Sequence, residues 1–216
     1  MLEVSTFFNS AYSGSERYWW KQPQAYSTVP EDHAGSLIAQ QTLRYARVRG
    51  PGRAIDLGSG EGADAIRLAK LGWEVEAVEL THAGAAKIRH FSSQAQVSVR
   101  IHIGDIMRFD PKEPYDLVIC NGVLHYIREK DEMCQKMRDM TNDGGANIIT
   151  LWSSYTPVPE CHRIIPTFPD AERGIVVRSY ADWTKQLLYF ERNRAEVGHD
   201  DMPPHSHSHI KMIAVK

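Results

Sequence analysis

The sequence of 216 residues contains no long hydrophobic run. A helix needs about 18 or more consecutive apolar residues to cross a bilayer, and no segment approaches that length. The first ten residues, MLEVSTFFNS, also lack the basic start and apolar centre of a secretory signal peptide. We therefore expect a cytoplasmic protein that does not contact membranes.

Cysteine is scarce, and neither sign of charge is in marked excess. Cys120, Cys134 and Cys161 are odd in number and form no C-x-x-C pair, which argues against a disulfide framework and a structural zinc site. The formal net charge of −2 predicts no basic surface for a nucleic-acid backbone. The remaining composition, 42% hydrophobic and 24% charged, is typical of a globular protein, and the length favours a single domain over residues 1–216.

What the sequence does contain is an apolar strand that stops abruptly at a glycine-rich turn. Residues 53–62 read RAIDLGSGEG, and Gly58, Gly60 and Gly62 allow the backbone to turn tightly and to approach a ligand closely. A predicted helix follows over residues 63–71. Its N-terminal N–H groups would point at whatever binds beyond the end of the strand.

Two kinds of ligand fit this turn. Gly58, Gly60 and Ala63, with Glu79 about twenty residues later, match the dinucleotide fingerprint of nicotinamide-dependent oxidoreductases. Asp56 favours a different ligand, because a carboxylate two residues before the first glycine would repel a pyrophosphate. An acid at that place suits the cationic amino-acid end of S-adenosylmethionine (SAM).

The run IDLGSGEG resembles motif I of the class I SAM-dependent methyltransferases. GDI at residues 104–106 and DLVICNGVLHYI at residues 116–127 resemble later motifs of that family, in the family's order. The compact size, the aromatic start and the histidine-containing last strand look most like the tellurite-resistance-like small-molecule methyltransferases.

The resemblance implies an α/β fold with a Rossmann-like seven-stranded sheet and helices on both faces. The implied strand order is 3-2-1-4-5-7-6, with strand 7 antiparallel. Apolar patterns and turn signals place these elements along the chain. The predicted strands cover residues 54–57, 74–80, 97–103, 115–120, 147–152, 190–197 and 210–215, and the predicted helices cover residues 36–48, 63–71, 81–91, 130–141 and 179–189.

The resemblance also assigns roles around the cofactor. Asp56 and the glycines would hold the methionine part, and Asn121 would mark the edge of strand four. Glu79, at the end of strand two, would accept both ribose hydroxyls in charge-assisted hydrogen bonds, while Asp105 and Ile106 would contact adenine. The full predicted cofactor-binding set is Asp56, Gly58, Ser59, Gly60, Glu79, Leu80, Asp105, Ile106 and Asn121, with Tyr18 and Trp20 from the N-terminus.

Two segments are expected to shape the acceptor pocket. Residues 1–35 are rich in aromatic residues, which disordered tails avoid, so we predict an N-terminal lid; its rings either close on the ligand or simply pack the lid onto the body. Residues 153–178 contain several prolines and form a predicted substrate-pocket insertion. The predicted substrate-binding residues are Trp19, Trp152, Tyr155, His162 and Arg163.

Histidines supply two further hypotheses. His125 follows strand four, where it would act as a catalytic base or would merely pack. His205, His207 and His209 alternate along the last strand and would share one face, which suits zinc or nickel. Only Asp200 and Asp201, in the preceding loop, could complete such a site, so we predict no metal.

The resemblance therefore implies an enzyme of the EC 2.1.1 type that transfers a methyl group from SAM to a nitrogen or oxygen of a small molecule, with a place in secondary metabolism. We expect a monomer or homodimer whose partner is the small acceptor. Two other classes stay open: a nicotinamide-dependent oxidoreductase, and a non-catalytic SAM-binding protein that regulates a partner.

Overall fold

A seven-stranded sheet forms the centre of the computed structural model, which describes residues 2–14, 43–44, 47–163, 165–196 and 203–216. The strands are β1 (Arg53–Leu57), β2 (Glu74–Glu79), β3 (Arg100–Ile103), β4 (Tyr115–Asn121), β5 (Thr141–Trp152), β6 (Thr184–Glu196) and β7 (His205–Val215). The helices are α1 (Leu2–Ala11), α2 (Ala63–Lys70), α3 (His82–Gln94), α4 (Lys130–Asp139) and α5 (Ile175–Ser179). Short 3₁₀ turns cover Leu124–Tyr126 and Glu160–His162. Within the described ranges, no helix has the length and apolar character needed to cross a bilayer.

The strands lie in the order β3-β2-β1-β4-β5-β7-β6. β1 pairs in parallel with β2 and β4, whereas β7 runs antiparallel to β5 and β6. The predicted fold class and strand order are therefore confirmed. Ligands of such sheets bind beyond the carboxyl ends of the strands, and β1, β2 and β4 end side by side at Leu57, Glu79 and Asn121.

Apolar residues cover both faces of the sheet. Along β1, Ile55 and Leu57 belong to one buried cluster and Ala54 belongs to the other, as the alternation of side chains in a strand requires. α4 contributes Met133 to the first cluster, and α2 contributes Leu68 to the second. Helices thus cover both faces, as predicted, and leave the carboxyl edge of the sheet for the site.

Several predicted elements differ in the structure; β7, for example, begins at His205 rather than at residue 210. Residues 179–189 do not form a helix: α5 ends at Ser179 and β6 begins at Thr184. β6 is an edge strand that exposes both Leu188 and Tyr189, so the alternation that signals a strand is weak there. β5 begins at Thr141 rather than residue 147, and the Asn-Asp-Gly-Gly stretch lies within it, beside a shift in the β4–β5 register.

The predicted lid lies only partly within the described residues. Tyr18, Trp19 and Trp20 lie outside them, as does most of the predicted helix over residues 36–48. Residues 2–11 form α1. Phe8 of α1 packs edge-on against Tyr126 (ring centroids 5.4 Å apart), and Asn9 Oδ1 accepts from the Ala83 N–H (3.3 Å). α1 therefore bridges the start of α3 and the turn after β4, on either side of the carboxyl edge.

Candidate active site

The glycine turn connects β1 to α2 in a left-handed backbone. Gly58, Gly60 and Gly62 have φ values of 76°, 57° and 84°, a region that other residues adopt at a cost. The N–H groups of Gly58 and Ser59 both donate to the Val78 carbonyl, at 2.8 and 3.1 Å, which ties the turn to β2. A Cβ at Gly58 would lie 2.5 Å from Cγ2 of Val123. Only glycine fits there.

Asp56, on β1 just before this turn, has a buried carboxylate. The residue is 3% exposed, and its Oδ2 has no hydrogen-bond partner among the residues that the structure describes. Burial, reinforced by the nearby carboxylate of Asp64, raises the pKa of Asp56 well above its usual value. A buried acceptor without a donor costs free energy, so this oxygen is a candidate contact for a ligand that brings a donor or a positive charge.

Asp64 is a second buried acid, which sequence reasoning missed. It lies in the first turn of α2, where an acid is usually read as a favourable partner of the helix dipole. Its Oδ2 accepts a hydrogen bond from Nδ2 of Asn121 (2.8 Å). Burial raises the pKa of Asp64, while the Asn121 amide and the Arg67 guanidinium oppose that rise. Asp64 thus fixes the Asn121 side chain at the predicted edge of β4.

Glu79, at the end of β2, connects the glycine turn to α3. Its Oε2 accepts from the Gly60 N–H (2.9 Å), and its Oε1 accepts from the N–H and the hydroxyl of Thr81 (2.9 and 2.6 Å). The Thr81 hydroxyl also caps α3 by accepting from the Gly84 N–H (3.0 Å). Burial raises the pKa of Glu79, although these hydrogen bonds favour its ionised form. The acid predicted to bind ribose is therefore already held in place.

The remaining predicted cofactor residues lie along the same edge. Asp105 follows β3, and its Oδ1 accepts from the Met107 N–H (2.9 Å). Ile106 is 7% exposed and packs in the first apolar cluster, while Leu80, which follows Glu79, is half-buried. The Ser59 hydroxyl donates to the backbone carbonyl of Asp56 (2.7 Å), and this hydrogen bond stabilises the glycine turn.

His125 lies in the 3₁₀ turn after β4 and is 3% exposed. Its ring stacks on Trp152 (centroids 4.2 Å apart, planes 7° apart) and contacts Tyr126 (4.3 Å). Its Nδ1 faces the Trp152 backbone N–H at 3.4 Å. Burial, with the nearby charges of His209 and His207, lowers the pKa of His125 well below 6.5. The ring is therefore neutral at physiological pH.

Of the four described residues predicted to bind the acceptor, the structure brings two together. Trp152 ends β5, and His162 meets its indole edge-on (5.2 Å). Tyr155 is instead 52% exposed and packs under the Arg192 guanidinium of β6 (4.5 Å), and Arg163 is exposed. The segment predicted as a pocket insertion, residues 153–178, is anchored near His125, because the Phe168 N–H donates to the His125 carbonyl (2.6 Å).

Comparison with known proteins now identifies the architecture. A family model described as "Methyltransferase domain" matches residues 54–145. Over these residues the chain is similar to class I SAM-dependent methyltransferases. The probable S-adenosyl-L-methionine-dependent methyltransferase TehB of Haemophilus influenzae is 25% identical over 168 residues, which are 77% of this chain and 57% of TehB. The match to TehB confirms the narrower resemblance to tellurite-resistance-like methyltransferases.

Other relatives of this chain are more varied in name. Hemagglutinin 1 of Eikenella corrodens is 29% identical over 161 residues, which are 73% of this chain and 52% of that protein. The chain thus spans about half the length of the curated relatives it matches.

Solved structures extend the similarity in fold. TehB of Haemophilus influenzae superposes with a TM-score of 0.68 at 23% identity, covering 81% of this chain and 60% of TehB. The 1,6-didemethyltoxoflavin-N1-methyltransferase of Burkholderia thailandensis, solved with 1,6-didemethyltoxoflavin and S-adenosylhomocysteine, gives a TM-score of 0.68 at 17% identity and covers 100% of this chain and 88% of that protein.

The family match divides the candidate site of this chain into two parts. The matched residues, 54–145, include the glycine turn, Glu79, Asn121 and His125. α1, Trp152 and the histidines of β7 lie outside the match. The matched part therefore includes the carboxyl edge of β1, β2 and β4, and the surroundings of Trp152 lie beyond it.

Proposed function

We propose that this chain binds SAM at the carboxyl edge of β1, β2 and β4 and transfers its methyl group to a nitrogen or oxygen of a small molecule. The observation that carries the proposal is the buried Oδ2 of Asp56, which lies beside the glycine turn and has no hydrogen-bond partner among the described residues. An ammonium group supplies both the donor and the charge that this oxygen requires. The amino-acid end of SAM carries such a group.

The chain's own residues would hold the two ends of the cofactor, while bound SAM would supply a methyl group activated on a sulfonium. Asp56 would accept from the amino group, and Gly58 leaves the space that a side chain would fill. Asn121, fixed by Asp64, would contact the methionine part. Alignment of acceptor and methyl group in a rigid crevice is then the main contribution to rate.

Ribose binding requires an exchange of hydrogen bonds at Glu79. A carboxylate has about four acceptor positions, and Gly60, Leu80 and Thr81 already donate to this one. A ribose diol that donates to Glu79 would displace the Gly60 N–H, which is then available to the ligand. We therefore propose that Glu79 holds the glycine turn in shape until the cofactor replaces that contact.

Aromatic side chains support a planar acceptor. Phe8, Tyr126, His125 and Trp152 form a continuous group from α1 to the end of β5. Flat rings stack favourably on such surfaces. A structural neighbour was solved with 1,6-didemethyltoxoflavin, and we propose an acceptor of comparable size from secondary metabolism.

For His125, the geometry supports packing over base catalysis. Its Nδ1 faces the Trp152 N–H, so a neutral ring carries its proton on Nε2. That nitrogen is then a donor and cannot accept the acceptor's proton. We propose that His125 positions Trp152, and that methyl transfer needs no strong base, as is common for amine acceptors.

The oxidoreductase alternative has one feature in its favour, a Tyr-x-x-x-Lys spacing at Tyr126 and Lys130. The structure weakens it, because Lys130 is 4% exposed and its Nζ donates to the Ile127 carbonyl (2.8 Å). The Lys130 ammonium is therefore already occupied by a hydrogen bond to the backbone just before its own helix. Asp56 also remains unsuited to a pyrophosphate.

Calorimetric titration with S-adenosylhomocysteine and, separately, with NADH tests the cofactor. We expect binding of the first alone, weakened in the Asp56→Asn variant and unchanged in Asp110→Asn, which alters an exposed acid outside the site. Binding of NADH alone would overturn the proposal. Once binding is established, methyl-labelled SAM with small amines, phenols and carboxylic acids tests transfer, and binding without transfer to any acceptor would favour the regulatory alternative.

A further inference from the structure

Three histidines from two distant segments converge beside the acceptor side of the site. His162 lies in the 3₁₀ turn of the pocket insertion, and His205 and His207 lie at the start of β7. One ring nitrogen of each lies within 4.8 Å of the others. The Nε2 atoms of His162 and His205 are 3.0 Å apart. The sequence predicted no metal, because only Asp200 and Asp201 were found to complete a site on this strand, and His162 was not considered as a partner.

We propose that His162, His205 and His207 bind a divalent transition-metal ion, with Zn²⁺ as the preferred ion. Imidazole nitrogens lie about 2.0–2.1 Å from Zn²⁺, so two tetrahedral ligands are about 3.3 Å apart. The observed Nε2 separation of 3.0 Å needs only a small adjustment to reach that value. Three imidazoles without a thiolate suit zinc, copper or nickel better than magnesium or calcium.

The tautomer of His205 agrees with a role as ligand. Its Nδ1 lies 2.8 Å from the Pro203 carbonyl oxygen, which can only accept, so Nδ1 carries the proton and Nε2 offers a lone pair. Histidines that bind metals are usually oriented by such a second hydrogen bond. The same tautomer also permits an ordinary hydrogen bond from His162 to His205, which is the competing explanation that the experiment must separate.

Glu196 supplies the fourth ligand in this proposal. It pairs with His205 across the β6–β7 ladder and is 8% exposed. Its Oε2 lies 3.4 Å from His205 Nε2. A carboxylate added to three neutral imidazoles completes a tetrahedral set and offsets part of the ion's charge.

His209 does not belong to this site, although it continues the alternation of the strand. Its ring lies 6.0 Å from that of His207, and its Nδ1 is 3.3 Å from Glu191 Oε2. The structure thus groups His162 with His205 and His207, whereas the alternation in the sequence groups His205, His207 and His209. His209 is therefore a matched control, because it shares the strand and the face but not the cluster.

A bound ion would join the pocket insertion to the sheet. His162 belongs to the insertion, whereas His207 stacks on Trp152 (4.4 Å, planes 13° apart), which in turn stacks on His125. The ion would hold one wall of the proposed acceptor pocket. Metal binding itself does not depend on methyl transfer, so the test uses no turnover.

The test is titration of tag-free protein, stripped with a chelator, with Zn²⁺ against a competing metallochromic indicator. We expect one ion per chain, bound at least about a hundredfold more weakly in His162→Ala and His207→Ala, since loss of even an outer-shell partner costs 10–100-fold. His209→Ala should bind like the parent. Co²⁺ should give the visible absorption of a tetrahedral complex, and Glu196→Gln should change that spectrum.

Several results would overturn the proposal. Absence of stoichiometric binding to the parent protein would leave only the hydrogen-bonded histidine pair. Equal affinity of His162→Ala and the parent, or loss in His209→Ala alone, would assign any binding to β7 without the insertion. Circular dichroism of each variant confirms that its fold is retained, and His162→Gln repeats the decisive comparison with a smaller change in packing.

Discussion

Replacement of Asp56 by Asn should make the protein more stable and its cofactor site weaker. The folded state raises the pKa of Asp56 because the carboxylate is buried near Asp64, so the folded state holds this proton more tightly than the unfolded state. The free energy of unfolding then falls as pH rises from the unfolded pKa, near 3.9, through the folded pKa. Above both values the full cost of the buried charge is present, and Asp56→Asn removes it.

The structure sets the size of both effects. An unsatisfied buried polar group costs about 1–3 kcal/mol, and a charged one costs more, so we expect a gain of at least about 1 kcal/mol at pH 8. Each kcal/mol raises Tm by about 2–4 °C in a chain of this size. The lost charge-assisted hydrogen bond to the ligand costs about 1.5–3 kcal/mol, or about 10- to 150-fold in Kd for S-adenosylhomocysteine.

The assay is thermal unfolding between pH 4 and pH 8, without and with S-adenosylhomocysteine, for the parent, Asp56→Asn and the exposed control Asp110→Asn. The difference in Tm between Asp56→Asn and the parent should widen as pH rises and should shrink when ligand is added, because the ligand stabilises only the parent strongly. Parallel pH profiles, or a variant less stable than the parent at pH 8, would refute the assignment of Asp56 as a buried acid whose charge the fold penalises.

Three other substitutions test the site and the fold. Gly58→Ala should abolish S-adenosylhomocysteine binding in calorimetry and lower Tm, because its Cβ would lie 2.5 Å from Val123 at a positive φ; wild-type binding would contradict the close approach. Tyr180→Phe should cost about 1–3 kcal/mol in denaturant unfolding, since it removes a 2.6 Å hydrogen bond to buried Asn147, and should leave ligand affinity unchanged. An arginine partner lowers the pKa of Asp182 to about 2, so its contribution to stability is present above about pH 4 and lost as pH falls toward 2. In Asp182→Asn, the free energy of unfolding should therefore fall less steeply between pH 4 and pH 2 than in the parent. An equal fall in both proteins would show that solvent fully screens the pair of Asp182 with Arg138.

The glycine turn and the strand ends of the site could be predicted from local patterns in the sequence, because local backbone geometry determines where they lie. A strand that runs into glycines ends where the backbone must turn, so the carboxyl end of β1 could be placed from residues 53–62 alone. Glu79 and Asn121 could be placed because each ends a buried strand, and the ends of parallel neighbours meet at one edge. The family resemblance supplied the strand order that makes β1, β2 and β4 neighbours.

Contacts between side chains from separate elements could not be predicted in the same way. Asp64 has the sequence signature of an ordinary first-turn acid, and only the packing of α2 against β4 brings it to Asn121. His162 is 43 residues from His205 in sequence, and the proline-containing segment that carries His162 has no periodicity that fixes where it packs. β6 was missed at its start because an edge strand with exposed apolar residues does not alternate cleanly.

Three buried acids of the site, rather than Asp56 alone, favour SAM over a dinucleotide as the cofactor. In the sequence only Asp56 disfavours a pyrophosphate, but in the structure Asp64 and Glu79 lie close enough that their charges raise the pKa of Asp56 further. A pyrophosphate would bring negative charge toward all three carboxyl groups, in a buried region where solvent screens poorly. The amino and sulfonium groups of SAM bring positive charge to the same place. Cationic ligands should therefore be favoured by the whole carboxyl edge, and neutralising Asp64 as well as Asp56 should erode that preference stepwise.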